Sequence, residues 1–396
     1  MASQNVKTGK VTLMCALLCI VSLMAQEMSA QVRRTVNRPA TASSAAKFAL
    51  YGKLGARAIY VAGDTIFYVE KGANNAVMAI DCQTGEKSVV IPGIAGVYEG
   101  ARPRIKKFWK VGDRKIFTRE DREEVFLWDG KGVESSLRFD GSKDMVTSCG
   151  DYVLFKGKGG YDLLNVRELR QIWHLSDEVV KYGNVLLAQN GTAWYYAVDQ
   201  GNDPFNPLNN FGAVRIGLDG KSVFYYRSLV NQPYVKENNI KGKSNVTDTR
   251  ETSLVRKGNY IYLPVHRRVY RLDTTNEDAQ WEEFAKVPAN QPGDFGRIGI
   301  NNRGDMLVRR PNADSFDQRT QLYPAGRFDQ PINLGDEMTS GVSSPYGYNR
   351  LYVSLCSWFT DDNDNFVLLY SDGNEIYVYN PDGVKGYKKA LGRVVE

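Results

Sequence analysis

The residues of this 396-residue chain best placed to do chemistry are carboxylates and amides. Asp361, Asp362, Asn363, Asp364 and Asn365 form its densest run of oxygen donors, a set that suits calcium. The twelve-residue calcium loop is incomplete, however. Phe366 stands where its sixth-position glycine belongs, and Asp372 where its final glutamate belongs. The run reads instead as a polar hairpin loop, and no metal is expected. Asp199, Asp203, Asp314 and Asp361 are eligible as acid or base in a glycan-cleaving site, which needs carboxyl groups converging on one bond. The two histidines, His174 and His266, show no metal-ligand spacing. Ser340-Gly341-Val342-Ser343-Ser344 does not complete a Gly-x-Ser-x-Gly nucleophile elbow. These signals point away from catalysis.

A second set suits recognition. Phe205, Tyr234, Phe316, Tyr346, Tyr348 and Trp358 fall in long segments that also hold Asn and Asp. Aromatic planes beside amides fit a sugar ring or a peptide. His266, Arg267 and Arg268 follow Pro264 between two apolar runs. As a rim turn they could hold an acidic sugar, a phosphate or a carboxylate. Arg102, Arg104, Lys106, Lys107 and Lys110, interleaved with Phe108 and Trp109, have the look of a nucleic-acid patch. Yet Ile105, Phe108 and Val111 read as an inward strand face with the lysines in water. The net charge is a modest +6, and no nucleic-acid partner is expected.

The elements that must carry these residues are strands. An apolar run, a Gly-Asp or Gly-Asn pair and a second apolar run recur, first at Ala58–Val61, Gly63-Asp64 and Ile66–Val69. The pair returns at Gly112-Asp113, Gly150-Asp151, Gly183-Asn184, Gly258-Asn259, Gly304-Asp305 and Gly373-Asn374. Between such turns lies another hairpin, as in Val77–Asp81 followed by Lys87–Val90. Four short strands repeated every roughly 40–50 residues mark the blade of a β-propeller. The fold class is therefore all-β, a single propeller of four-stranded blades. Starts near Ala58, Arg104, Met145, Glu178, Thr252, Arg297 and Met338 give seven blades, and irregular spacing at the fourth and last leaves six or eight open. Lys47–Tyr51 is placed to close the ring beside the C-terminal strands. The first and last hairpins of each blade share one rim. The middle connections and the links between blades share the other, which collects the long segments 92–104, 200–210, 230–250, 311–319, 336–349 and 357–365.

Ala79-Ile80-Asp81-Cys82-Gln83-Thr84-Gly85-Glu86 resembles the Ala-x-Asp-x-x-Thr-Gly turn of quinoprotein-like secreted propellers. Arg271–Asn276 and Gly217–Gly220 are shorter versions of it. The resemblance implies the fold and carries over no functional residues. Adjacent cysteines and repeated Trp-docking motifs are absent, so no quinone or other cofactor is expected.

Residues 1–30 read as a secretory signal. Lys7 and Lys10 precede the uncharged apolar run Val11–Ala25, and Ser29-Ala30 offers a cleavage site. That run is short of the roughly 20 residues a membrane span needs, so no transmembrane segment is expected. Residues 31–46, rich in Ala, Ser and Thr, would be a flexible leader, and 47–396 the propeller domain. Cys82, Cys149 and Cys356 survive cleavage and are expected to be buried, reduced strand residues, with at most one disulfide possible. The expected product is exported, periplasmic or extracellular. Its expected function is non-catalytic: binding or assembling a protein or a glycan on the long-loop rim. The alternative is a carbohydrate-active propeller, either a glycoside hydrolase or a polysaccharide lyase.

Overall fold

The computed structural model describes residues 48–54, 56–70, 76–92, 105–119, 124–131, 133–138, 144–157, 159–177, 185–188, 191–198, 211–218, 223–240, 254–288, 295–310, 320–334, 343–344, 347–348, 357–370 and 375–387. All belong to the unit Ala46–Glu396. Runs such as Ile66-Phe67-Tyr68-Val69 combine β-branched and aromatic side chains, which fill a pleated surface well. The repeated glycine works at the first position of a two-residue hairpin loop, where a left-handed backbone is needed. Gly63, Gly112 and Gly258 sit there with φ 56°, and Gly150 with φ 58°.

Seven four-stranded antiparallel sheets result among the described residues, and the protein is a seven-bladed β-propeller. Six blades use consecutive strands, between Ala56 and Ile91, Ile105 and Arg138, Asp144 and Ser176, Val185 and Ser228, Val255 and Lys286, and Ile298 and Asn333. The seventh joins both ends of the chain. Ser357–Thr360, Phe366–Tyr370 and Glu375–Tyr379 are completed by Phe48–Lys53, with Phe48 opposite Tyr379 and Leu50 opposite Tyr377. This is the closure expected of Lys47–Tyr51.

Two blade starts differ from the sequence reading. Blade four begins at Val185, not Glu178, because its first hairpin is the one that turns through Gly191. Gly191 N donates to Ala188 O at 3.0 Å, between Val185–Leu187 and Ala193–Val198. Blade seven begins at Ser357, not Met338. Upstream of it, Ser343-Ser344 and Gly347-Tyr348 form a separate small hairpin.

The core lies between blades, so strands are covered on both faces and read as continuous apolar runs. Trp194, Tyr196 and Phe211 of blade four pack with Ile261, Leu263 and Tyr270 of blade five. Ile66 and Ile80 of blade one pack with Val367, Ile376 and Val378 of blade seven, sealing the ring. Each such side chain contributes about 1.5–3 kcal/mol of burial. Lys106 and Lys107 are half-buried and Lys110 is exposed, beside buried Ile105, Phe108 and Val111. Trp109 is buried too, because it and Val111 face blade three while Ile105 and Phe108, brought onto one face by a bulge between Ile105 and Lys107, face blade one.

The quinoprotein-like turn has its expected chemistry. Asp81 Oδ1 accepts from the backbone N–H of Gln83 (2.8 Å) and Thr84 (2.9 Å), and Gly85 is left-handed at φ 76°. The Thr84 bond leads in holding the Asp81 carboxyl below its usual pKa. Asn165 repeats the device in blade three, accepting from Arg167 N and Glu168 N. One helical turn, Pro233–Glu237, was not anticipated. It opens with proline at a position where the missing N–H costs nothing, and it lies in the link from blade four to blade five.

Candidate functional site

The inner strands of blades three to seven surround a cavity of about 300 Å³. Ligand cavities run roughly 300–1,000 Å³, so this one fits a single small group. Leu186, Leu254, Ile298 and Phe359 give it apolar walls, while Thr147, Thr360, Arg256 and Arg297 supply polarity. No described residue lining it is a carboxylate.

The two arginines reach the cavity in different ways. Arg256 is the middle residue of the three-residue inner strand of blade five. Its Nη1 lies 2.9 Å from Cys149 Sγ, and its Nη2 donates to Ser148 O at 3.4 Å. It thus reaches blade three past blade four, whose inner strand is only three residues long. Arg297 precedes the inner strand of blade six, and its guanidinium carbon lies 5.0 Å from the ring centre of Trp358. Both Arg297 and Trp358 stand where a link from the preceding blade arrives, at the end of the channel nearer the long-loop rim. Beside the cavity, Lys257 Nζ donates to Thr360 Oγ1 at 3.1 Å. Burial pulls the Lys257 pKa below its ordinary value, against the opposing pull of Asp364, Asp362 and Asp361.

On the opposite rim the polar residues satisfy one another. Asp361 Oδ1 accepts from Asn363 N (3.0 Å) and Asn365 N (2.8 Å), and Oδ2 accepts from Asn365 Nδ2 (2.6 Å). Asn365 Oδ1 in turn accepts from Asn380 Nδ2 at 3.1 Å. Asn363 Nδ2 donates to Asp64 Oδ1 of blade one at 2.9 Å. Asn302 N and Arg303 N of blade six donate to Asp364 Oδ1. Arg303 also pairs with Asp305 and Asp382. Burial raises the Asp361 carboxyl pKa above its usual value, although these hydrogen bonds act the other way. Among the described residues no group of His, Cys, Asp and Glu is arranged to hold a metal.

Several residues stand elsewhere than the sequence suggests. The segment 357–365 is not a long-loop-rim connection: Ser357–Thr360 is an inner strand, and Asp361–Asn365 is the first-rim hairpin. Trp358 is accordingly buried, at 9 % exposure. His266, Arg267 and Arg268 do follow the second strand of blade five on the long-loop rim, with Pro264 next to last in that strand opposite Val269. They sit outward of the inner strands and are tied into the protein. Arg268 is buried, ion-paired with Glu283 at 3.0 Å, and 4.0 Å from the ring centre of Tyr234 in the Pro233–Glu237 turn. Arg267 donates to Pro288 O at 3.2 Å, and His266 is left-handed at φ 53° with its carbonyl accepting from Phe295 N. Phe205, Phe316, Tyr346, Asp199, Asp203 and Asp314 lie outside the described residues, and Tyr348 is placed only as a strand residue. Arg256 and Arg297 were missed. Their only local signal is a charge flanking or interrupting an inner-strand apolar run.

Cys82 and Cys149 are free thiols, while Cys356 lies outside the described residues. Cys82 is buried at the turn just after its strand, and its thiol pKa is pushed up to about 12, chiefly by burial. Cys149 is half-buried at an inner-strand end.

No family model matches the chain, and no curated protein matches it in sequence. Solved structures do share its outline. The Cps50 (Swd1) propeller domain of Myceliophteria thermophila aligns at TM-score 0.49 and 10% identity, over 84% of this chain and 99% of that one. The Pan2 WD40 domain of Neurospora crassa aligns at 0.44 and 10%, over 88% and 100%. The extracellular domain of BT4673 from B. thetaiotaomicron aligns at 0.44 and 10%, over 84% of this chain. The chain spans about 40% of the length of that domain. The fold assignment rests on the seven sheets themselves. Among the described residues no helix is long and apolar enough to cross a membrane.

Proposed function

We propose that this chain is an exported, non-catalytic propeller that binds a protein or a glycan at the channel mouth on its long-loop rim. One observation carries the reading. The channel cavity of about 300 Å³ is lined by Arg256, Arg297 and Trp358 and, among the described residues, by no carboxylate. It can hold a ligand, and its described lining offers no pair of converging carboxyl groups of the kind that glycan cleavage commonly requires. The basic and apolar start of the chain supports export, with cleavage after Ala30 and a leader to residue 46. Secretion of the full chain should then yield a product beginning at Gln31 by N-terminal sequencing. The binding claim is tested by applying that product to a glycan array and, in parallel, to a cross-linking pull-down. A saturable ligand in either assay, with no cleavage of bound glycan, is expected. Silence in both, or glycan cleavage, would overturn the proposal.

A further inference from the structure

We infer that residues 384–387, which follow the last strand of blade seven, are a latch across the seam between blades seven and one, and that their release opens that seam and uncovers the Cys82 thiol. The inference is independent of the channel cavity and of any ligand bound there.

Three successive residues carry it. After Glu375–Tyr379 the chain turns back over the hairpin rim, with Gly383 N donating to Asn380 O and Asp382 N to Asn380 Oδ1, both at 3.0 Å. Lys385 then lies on the buried Asn365 amide of blade seven. Its N–H donates to Oδ1 at 3.1 Å, and its carbonyl accepts from Nδ2 at 2.8 Å. One side-chain amide thus satisfies both backbone groups of a residue that belongs to no strand. Gly386 is left-handed at φ 78° and fills a slot between the two blades. A Cβ there would stand 2.8 Å from Asn363 Nδ2 of blade seven and 2.8 Å from Gln83 Nε2 of blade one. Neither amide can easily retreat, because both donate to the Asp64 carboxylate, Asn363 to Oδ1 at 2.9 Å and Gln83 to Oδ2 at 2.8 Å. Tyr387, like Val384, packs against the core that blades one and seven share. Its enclosed hydroxyl faces Cys82 of blade one and Asp361 of blade seven. Cys82 is fully buried, and burial pushes its thiol up to about 12, so in the latched state the sulfur is both covered and protonated.

The seam is where such a latch matters. The other blades are built from consecutive strands, whereas blade seven takes its outer strand, Phe48–Lys53, from the far end of the chain. That strand closes the outer edge, and residues 384–387 hold the hairpin rim. A short segment anchored by a few side chains opens at lower cost than the four-stranded sheets beneath it.

The test is pulse labelling of the purified chain with N-ethylmaleimide at mildly alkaline pH, with the labels on Cys82 and Cys149 mapped by mass spectrometry. Cys149 ends the inner strand of blade three, so it reports loosening of the whole ring and not of the seam. In the wild type Cys82 should label more slowly than Cys149. Gly386→Ala drives a Cβ into the closed slot on a left-handed backbone, and should speed Cys82 labelling about tenfold with Cys149 unchanged. Tyr387→Phe keeps the ring, loses the hydroxyl, and should speed Cys82 labelling about threefold. Equal Cys82 rates in the wild type and both variants would overturn the inference. So would Cys82 and Cys149 accelerating together, because the variants would then loosen the fold and not the seam. If melting curves show that Gly386→Ala does not fold, Tyr387→Phe decides alone by the same criteria.

Discussion

Blades six, seven and one meet on the hairpin rim through Asp305, Asp364, Asn363 and Asp64. At the other end of the same inner strands stand Arg297 and Trp358. On the hairpin rim, amides and backbone N–H groups face carboxylates, and the chain of donors runs from Asn380 through Asn365 to Asp361. In the channel, the arginines share a cavity whose described lining holds no acid. The contrast separates two uses of polarity. On the hairpin rim a network of donors and acceptors that satisfies itself holds the ring closed, while the channel lining mixes arginines, threonines and apolar walls. The densest polar run in the sequence, Asp361–Asn365, belongs to the hairpin rim and not to the long-loop rim.

The largest effect that would sharpen this contrast is expected at Asp305. It accepts from Asn301 Nδ2 (2.8 Å), Arg303 Nη2 (2.7 Å) and Ala325 N (2.9 Å) while almost fully buried. Asp305→Ala takes the side-chain acceptor from Ala325 N and leaves Asn301 and Arg303 to Asp364, Asn380 and Asp382, and it should cost about 3 kcal/mol in denaturant unfolding, with ligand affinity unchanged. Asp361→Asn is expected to cost about 2 kcal/mol, because the new amide would meet the Asn365 Nδ2 donor.

Asp361 also sets a pH dependence. Its folded pKa is raised above 3.8, so between those two values the folded state binds more protons than the unfolded state. Stability from this group falls as pH rises through that window and is recovered on acidification. Asn does not titrate, so the deficit of Asp361→Asn relative to wild type should widen as pH falls through the window. Unfolding titrations at several pH values would show this, and a narrowing deficit would contradict the burial argument.

Smaller effects belong to the long-loop rim. Tyr234→Leu removes the ring over Arg268 and should cost about 1 kcal/mol by thermal unfolding. Arg297→Gln should shift stability by only about 0.5 kcal/mol. Loss of binding without loss of stability at Arg297, and the reverse at Asp305, would confirm the division between the two rims.

What could be read from the sequence was mostly local. Gly63, Gly112, Gly150 and Gly258 announce their hairpins because a left-handed first position is a property of two adjacent residues. The closing strand was legible because Phe48–Lys53 is an apolar run with no neighbour of its own. Gly183-Asn184 misled because it carries the same local signal as Asn190-Gly191, and a three-residue inner strand does not decide between them. Ser357–Asn365 misled because a four-residue strand followed by five Asp and Asn residues has the composition of a loop. Arg268 reads in sequence as a rim residue open to an anion, yet the outer strand brings Glu283 beside it and the interblade link brings Tyr234. Arg256 and Arg297 were invisible for the same reason. They converge only when blades five and six stand side by side around one axis.

The division of labour between the rims is tested most directly by hydrogen–deuterium exchange on the secreted chain, with and without a saturating amount of the glycan that scores highest on the array. Protection is expected in 254–257, 297–300 and 357–360, with 301–305 and 361–365 unchanged. Protection confined to 301–305 and 361–365 would place the ligand on the hairpin rim and contradict the assignment of the channel as the binding site.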